Sequence, residues 1–375
     1  MLRSFQTMFA PFAELTEYHA NHMSLTTHPA LHRAWDISMT RMVEDLSLDE
    51  KESTAALQGL FTKGAQLFLR HAASLSWKSL TTEEKREKIR VLLDRPQIPQ
   101  RTPAWYEQGQ RILTASEFSS LYGSPRQYAS LVVSKALPPQ IRSSSYRSAS
   151  PSSSMSPFDW GIRFEPVVKQ VFSKAGGIEI GECGRITHAT DSHLAASPDG
   201  ILTAGPHDRL GRLIEIKCPI TRKVGVELPF SYWCQMQIQM EVADISECEY
   251  LEVKIESVHS KNLKYVTPAT SVADGELYLL SKGLDYEYAY TEDEKKLFLE
   301  KGYEIFETIP WAITEYHTEV IQRDCQWFEE TAPIREKFWK DVEAARIGTF
   351  KMPPPITPKT PCLITDSPPS PMQPV

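Results

Sequence analysis

The chain has 375 residues and a formal net charge of −7, with 41% hydrophobic and 24% charged residues. This composition predicts a mostly globular, soluble protein with one large domain or two to three smaller ones. The acidic balance excludes a protein that coats nucleic acid by bulk positive charge, although it leaves room for binding in a local cleft.

Hydropathy and cysteine usage exclude several further classes of protein. No run of eighteen apolar residues occurs, so we expect no membrane span. The N-terminal segment lacks the long apolar core and the small-residue cleavage site of a secretory signal. The six cysteines are scattered and form no C-x-x-C pair, which argues against a zinc site, a disulfide scaffold or an iron–sulfur cluster. We therefore expect an intracellular, reducing location.

The first part of the chain divides into a helical region and a mixed domain. Residues 1–96 carry helix-period apolar residues, and Pro96 ends the last predicted helix. A short linker follows, and residues 104–260 mix helical and strand patterns. Within them, residues 134–158 are rich in Ser and Pro, basic, and without an acidic residue. This segment is either a solvated insertion or a basic flap over a phosphate backbone.

The last part of the chain is predicted to be helical and then disordered. Residues 261–350 are interpreted as a C-terminal helical extension, because residues 291–346 have a helical and aromatic pattern. Their Trp and Phe residues are expected in the core. Residues 351–375 are rich in proline, which predicts a disordered tail.

A charged strand stands out in the mixed domain. In RLIEIKCPI, residues 212–220, the alternation places Glu215 and Lys217 on one face of a predicted strand. The turn formers GPHDRLG, residues 205–211, precede it. An antiparallel hairpin centred on residue 207 pairs position 199 with position 215. Register alone therefore predicts that Asp199 lies beside Glu215.

This pair of acids suggests a metal site for phosphodiester hydrolysis. Two carboxylates and a main-chain carbonyl can hold Mg²⁺, which polarises a phosphate and lowers the pKa of an attacking water. Lys217 can orient or deprotonate that water, or neutralise developing charge. The alternative is a solvent-facing polar strand face. The segments SPDG before the hairpin and CP after the strand favour the metal site.

Two predicted helices flank this hairpin. Residues 159–177 form an amphipathic helix, with Asp159 as a candidate cap, and Glu165 lies at the border of its apolar stripe. Glu165 is either a rim residue or, beside a metal, a further ligand or water-holder. In the second helix, residues 230–244, Gln235 and Gln239 share a face. They are predicted to contact the attacking water or the substrate; the alternative is that they bond to a neighbouring loop.

The motifs WGIRFEP, SPDG, EIKCP and YWCQMQIQM occur in this order, after RILTASEFSSLYG at residues 111–123. Together they resemble the YqaJ-type viral recombinase family, relatives of the phage lambda exonuclease within the PD-(D/E)xK nuclease superfamily. The resemblance covers roughly residues 104–260 and leaves the helical N-terminal region and the proline-rich tail unexplained.

The resemblance implies an α/β fold with a PD-(D/E)xK restriction-endonuclease-like core. A mixed central sheet would be flanked by helices, with helical N-terminal and C-terminal additions. The implied activity is DNA hydrolysis that depends on Mg²⁺, with Mn²⁺ as the alternative ion, and degrades linear duplex ends 5′ to 3′ for recombination or repair. The implied partners are DNA ends, a single-strand annealing protein and further copies in a homo-oligomer. A viral origin, by analogy, would place the protein in the host cytoplasm or nucleus.

The resemblance also assigns roles to residues. The metal ligands would be the side chains of Asp199, Glu215 and Glu165 and the carbonyl of Ile216. Lys217 would be the catalytic lysine, and Gln235 the first glutamine of the following helix.

Substrate binding is implied at the first motif. Ser116 matches a motif serine that resembles a terminal-phosphate contact. The family often has an arginine four residues after the motif tryptophan; counting from Trp105 reaches Gly109, and Arg111 is the candidate for that role.

Three functions are weighed. The first is a Mg²⁺-dependent DNA exonuclease. The second keeps the fold but cuts as a structure-specific or single-strand endonuclease, which the displaced arginine and the basic insertion motivate. The third is a non-catalytic DNA-end-binding or recombination scaffold. The charge cluster of Asp199, Glu215 and Lys217 argues against the third, because a binding module has no reason to retain it at the free-energy cost of burial.

Overall fold

The structure is a computed structural model, and it describes residue 77 and residues 80–99, 102–137, 156–257 and 271–354. The predicted helices before residue 77, most of the Ser/Pro-rich insertion and the proline-rich tail from residue 355 lie outside the described residues. No described helix is long and apolar enough to cross a membrane.

The described elements alternate between helices and strands. The strands are β1 Leu113–Thr114, β2 Glu179–Gly181, β3 Ile186–Thr187, β4 Leu194–Ala196, β5 Gly200–Ala204, β6 Leu213–Lys217, β7 Glu247–Ser257, β8 Ala273–Lys282, β9 Asp285–Ala289 and β10 Glu304–Gln322. The helices are α1 Thr82–Leu93, α2 Pro103–Gly109, α3 Ala115–Phe118, α4 Pro125–Ala136, α5 Pro157–Gly176, α6 Phe230–Ala243, α7 Glu292–Glu300, α8 Cys325–Glu330 and α9 Ala332–Arg346.

A mixed sheet forms the centre of the described part of the protein. Its strand order is β2-β5-β6-β7-β10-β8-β9. β6 and β7 run parallel, whereas their other neighbours are antiparallel. Parallel neighbours need a crossover connection, and α6 supplies it. A smaller sheet in the order β1-β4-β3 lies beside it. The predicted α/β architecture, a mixed central sheet flanked by helices, is confirmed.

The two predicted flanking helices cover opposite faces of β6. Leu213 belongs to the apolar cluster that contains α6. Ile214 and Ile216 belong to the cluster that contains the apolar residues of α5. Since successive side chains of a strand point to opposite faces, β6 is sandwiched between α5 and α6. Only its end, near Lys217, approaches solvent.

Helix α5 begins and ends at residues whose chemistry favours helix ends. Ser156 is its N-cap and forms a capping box with Asp159. Asp159 was predicted as the cap itself; it lies three residues inside, because Pro157 begins the helix. Gly177 ends α5 in the left-handed conformation, at φ 56°, which glycine adopts without a Cβ penalty.

The prediction of a C-terminal helical extension over residues 261–350 is wrong for a large part of the described residues 271–350. The helices α7, α8 and α9 are present, but β8, β9 and β10 complete the central sheet. The 19-residue strand β10 pairs with β7 on one side and β8 on the other. Its many Ile, Thr, Val and aromatic residues fit a pleated, half-buried surface, which outweighs the apparent helical spacing.

A buried ion-pair network ties β6 to β7. Arg212 donates to Glu247 at 2.6 Å and to Glu249 at 2.9 Å. We expect Arg212→Ala to lower the free energy of unfolding by about 3 kcal/mol, because it removes the cation from a buried pair. Arg90→Ala breaks an exposed pair with Glu87 and serves as the control. It should change the free energy of unfolding little. If urea denaturation showed that Arg212→Ala and Arg90→Ala lose the same stability, this account would be contradicted.

Candidate active site

The hairpin of β5 and β6 has the predicted register. Gly200 pairs with Ile214, and Ile201 pairs with Leu213. One further step along this ladder brings position 199 opposite position 215. The chain therefore turns back after β5, so that Glu215 lies level with Asp199, as the sequence predicted.

Pro198 leaves the carbonyl of Ile216 without a donor from this ladder. The next hydrogen-bonded pair would join Pro198 to Ile216, and proline has no N–H to donate to that carbonyl. On the same side of β6, the N–H of Ile216 donates to Oδ2 of Asp199 at 2.7 Å. A strand residue presents its N–H and C=O to the same side. The carbonyl of Ile216 therefore points toward the side on which Asp199 lies.

Glu215 is fully buried and bonded through both carboxylate oxygens. Its Oε1 accepts a hydrogen bond from Nζ of Lys217. Its Oε2 accepts one from Nε2 of Gln239 at 2.6 Å. Burying a carboxylate is costly unless it is paired and hydrogen-bonded. These two bonds hold Glu215 in a defined position on β6.

Lys217 lies between Glu215 and helix α6. Its ammonium is 3.3 Å from Oε1 of Gln235 and 4.9 Å from the ring centre of Tyr232. Burial alone would lower the pKa of Lys217, but the carboxylates of Glu215 and Asp199 raise it overall. The side chain is therefore a cation at neutral pH, which suits it to neutralise charge or orient a water more than to accept a proton.

The acids of the site repel one another. Burial raises the pKa of Asp199 well above its usual value, and the negative charges of Glu215 and Glu165 raise it further. Lys217 and the Ile216 N–H offset only part of this effect. A divalent cation at this point would relieve the repulsion, and oxygen donors are the ligands that Mg²⁺ prefers. The donor set thus fits the metal implied by the resemblance.

Glu165 faces the same cavity as Asp199 but is engaged by another residue. Nζ of Lys169 lies 2.9 Å from Glu165 and 3.2 Å from Glu182. No cluster of three His, Cys, Asp or Glu side chains in the described part of the chain is placed to hold a metal. The predicted set of three acidic ligands is therefore not assembled as one cluster; Asp199 and Glu215 converge, and Glu165 pairs with Lys169.

Gln235 and Gln239 of α6 contact different partners. The side chain of Gln235 contacts the ammonium of Lys217. Gln239 is only 1% exposed and donates to Glu215. The expectation that Gln239 contacts the substrate is wrong for this arrangement, because its side chain is enclosed between α6 and β6. Its contact makes it a positioning residue for Glu215.

Arg111 and Ser116 have local contacts in the described structure. Arg111 is exposed and lies 3.8 Å from Glu107. The exposed hydroxyl of Ser116 is 3.4 Å from that of Thr114. β1 ends at Thr114 and pairs with β4, and the chain reaches Asp199 three residues after β4. Ser116 is thus attached to the same small sheet that leads into the acidic pair.

Several residues that sequence reasoning missed line the cavity of about 620 Å³ beside Asp199, among them Lys169, Tyr288 and Tyr290. Lys169 follows Glu165 by four residues in α5, a spacing that brings side chains together on a helix and was available as a signal. Tyr288 and Tyr290 come from β9 and the residue after it. This segment was interpreted as part of a helical extension, and no motif pointed to it.

Comparison with known proteins finds similarity over part of this chain. Residues 104–246 match the family of YqaJ-like viral recombinase domains. The resemblance seen in the motifs is confirmed for this YqaJ-matching segment, which carries Asp199, Glu215 and Lys217. An uncharacterized protein of Acanthamoeba polyphaga mimivirus is 28% identical over 233 residues, a match that covers 48% of this chain and 42% of that protein. This chain thus matches less than half of that relative.

Solved structures of exonucleases are also similar in part. An alkaline exonuclease from Laribacter hongkongensis, LHK-Exo, has a TM-score of 0.39 at 17% identity, over 66% of this chain and 95% of that one. A phage-related exonuclease from Haemophilus somnus has a TM-score of 0.29 at 15% identity, over 63% of this chain and 92% of that one.

Proposed function

We propose that this protein is a metal-dependent deoxyribonuclease that degrades linear duplex DNA from its ends. The observation that carries the proposal is the convergence of Asp199, directly before β5, with Glu215 of β6, with the ammonium of Lys217 alongside. Since this group lies inside the YqaJ-matching segment, family and geometry support the same chemistry. A polar strand face without a metal would not require two buried acids opposite each other at positions 199 and 215.

The proposed ligands of Mg²⁺, or of Mn²⁺, are Asp199, Glu215 and the carbonyl of Ile216. A bound ion supplies Lewis-acid polarisation of the phosphate and a water of lowered pKa. Glu165, which shares a cavity with Asp199, is a proposed further ligand or water-holder. The ordering of Glu215 by Gln239 would keep its oxygens in place for the ion.

Lys217 would act on the phosphate as a cation. Its raised pKa keeps the ammonium charged, so it can stabilise the negative charge that develops on a phosphate oxygen. Gln235 would orient the ammonium through the contact at 3.3 Å. Water deprotonation by Lys217 is less favoured, because it would require the neutral amine.

The finer features of the function rest on the family resemblance. We propose 5′ to 3′ polarity, with Ser116 and Arg111 at the terminal phosphate. We also propose that resection serves recombination or repair, with a single-strand annealing partner and a homo-oligomeric enzyme. In a virus, the site of action would be the host cytoplasm or nucleus.

A comparison of linear and circular DNA tests the proposal. With Mg²⁺, the purified protein should release nucleotides from a 5′-phosphorylated linear duplex and leave a covalently closed circle intact. Removal of the metal by EDTA should stop the reaction. Cutting of the circle would instead indicate an endonuclease, and DNA binding without cleavage in any divalent ion would indicate a scaffold.

A further inference from the structure

A hairpin outside the YqaJ-matching segment reaches the cavity beside Asp199. β8 and β9 form the outer edge of the central sheet, at the end of the strand order. Tyr288 and Tyr290, at the end of β9, line the cavity together with Glu165 and Asp199. β9 ends at Ala289, so Tyr288 lies in the strand and Tyr290 directly follows it, and both side chains reach the same cavity. The cavity thus brings Glu165 of α5 and Asp199 together with two tyrosines from the β9 segment.

Tyr288 is fixed by the helix that carries Glu165. Nε of Arg163 donates to the hydroxyl of Tyr288 at 2.9 Å. The guanidinium carbon of Arg163 also lies 5.4 Å from the centre of the Tyr288 ring. Arg163 is buried and precedes Glu165 by two residues in α5. Tyr288 is therefore anchored directly to the helix that carries Glu165.

Tyr290 stands next to this anchored ring. The two ring centres are 6.0 Å apart, with an interplanar angle of 45°. The backbone N–H of Tyr290 donates to Glu294 of α7 at 2.7 Å, which holds the residue after the strand has ended. Burial raises the pKa of Tyr290, and the neighbouring Tyr288 and the charge of Glu165 add to the effect. The ring is therefore neutral at any ordinary pH.

We propose that Tyr290, supported by Tyr288, forms the surface on which the base of the nucleotide under cleavage stacks. This inference rests on the proposed nuclease function and names the contact that holds the substrate beside the acids. The cavity of about 620 Å³ lies within the range of roughly 300–1,000 Å³ that small-ligand sites occupy. Stacking on tyrosine tolerates any sequence, because every base has a π-face.

The charge of the cavity explains why an aromatic contact is needed there. Four acidic residues line it, Glu165, Glu182, Asp199 and Glu287, against one lysine, Lys169, so the charge balance of the lining disfavours a phosphate until a metal ion is bound. A neutral ring does not repel the nucleotide. Stacking on Tyr290 is thus the metal-independent part of substrate binding, and it keeps the nucleotide in place while the metal and Lys217 engage the phosphate.

Base stacking can be measured without turnover. A linear duplex with 2-aminopurine as its terminal base is bound to the full-length protein in EDTA, and fluorescence is recorded. Wild type and Tyr290→Phe should quench the probe to a similar extent. Tyr290→Leu, which retains apolar packing, and Tyr290→Ala should lose the quenching. In Mg²⁺, both should raise KM about tenfold with little change in kcat, which corresponds to the lower part of the range for one stacked base.

Tyr278→Ala is the matched control, since Tyr278 lies on β8 and its hydroxyl bonds to Glu292 away from the cavity. It should behave as wild type. Quenching and KM unchanged in Tyr290→Leu and Tyr290→Ala would overturn the inference, and so would a Phe variant as impaired as the Ala variant. A wild-type protein that cleaves no DNA would refute the proposed function instead, which separates the two failures.

Discussion

Asparagine in place of Asp199 is expected to abolish DNA cleavage and to stabilise the metal-free protein. The amide is nearly the same size and its oxygen can still accept the Ile216 N–H, but the negative charge for a metal is lost. Metal-ion catalysis contributes several kcal/mol of transition-state stabilisation. Since about 1.4 kcal/mol corresponds to a tenfold change in rate, we expect the rate to fall by about a thousandfold or more.

Asp199→Asn should gain stability although it loses activity, because the Asp199 carboxylate is held among other acids. The raised pKa of Asp199 means that its charge opposes folding in the absence of metal. We therefore expect a higher Tm for Asp199→Asn than for wild type in EDTA. Mg²⁺ should raise the Tm of wild type, since it binds the folded state, and should hardly affect the variant. An equal Mg²⁺-dependent shift in both proteins would mean that the ion binds elsewhere.

Methionine in place of Lys217 is expected to slow cleavage by about 10²–10³-fold, mainly through kcat. This is the usual cost of removing one group that stabilises transition-state charge. The variant should also unfold more easily, because the buried carboxylate of Glu215 loses its cation and keeps Gln239. Breaking such a pair costs about 3–5 kcal/mol, and Lys217 is 22% exposed, so we expect the lower end. Single-turnover rates and urea denaturation measure the two effects.

Two companion variants separate charge from geometry at this position. Lys217→Arg restores a cation and should recover most of the stability, but less of the rate, because a planar guanidinium cannot replace a compact ammonium at the phosphate. Lys174→Met removes an exposed lysine of α5 and should leave both quantities near wild type. A single-turnover rate for Lys217→Met within twofold of wild type would refute the proposed role of Lys217.

The local geometry of the acidic pair could be predicted because a hairpin has few free choices. The turn formers between residues 205 and 211 fixed the centre of the hairpin, and the alternation of β6 fixed the faces of Glu215 and Lys217. Pairing in an antiparallel ladder then determined that Asp199 and Glu215 meet. The helices α5 and α6 were likewise predictable, because their apolar spacing is long and regular.

The failures arose where tertiary structure outweighed local pattern. β10 has aromatic and charged residues that also suit an amphipathic helix, and only its neighbours β7 and β8 decide that it is a strand. Gln239 has the side chain of a surface contact, but its direction toward the buried Glu215 depends on how α6 packs. The contribution of Tyr290 to the cavity depends on a sheet edge that joins the site from distant sequence.

The most direct test of the central claim is the location of a bound divalent ion. Crystals soaked in Mn²⁺ should show an anomalous peak between the carboxylates of Asp199 and Glu215, close to the Ile216 carbonyl, at the roughly 2.0–2.2 Å distances typical of hard cations of this size. The account predicts this peak in wild type and its loss in Asp199→Asn. Full Mn²⁺ occupancy at another site, with none at this pair in an actively cleaving enzyme, would contradict it.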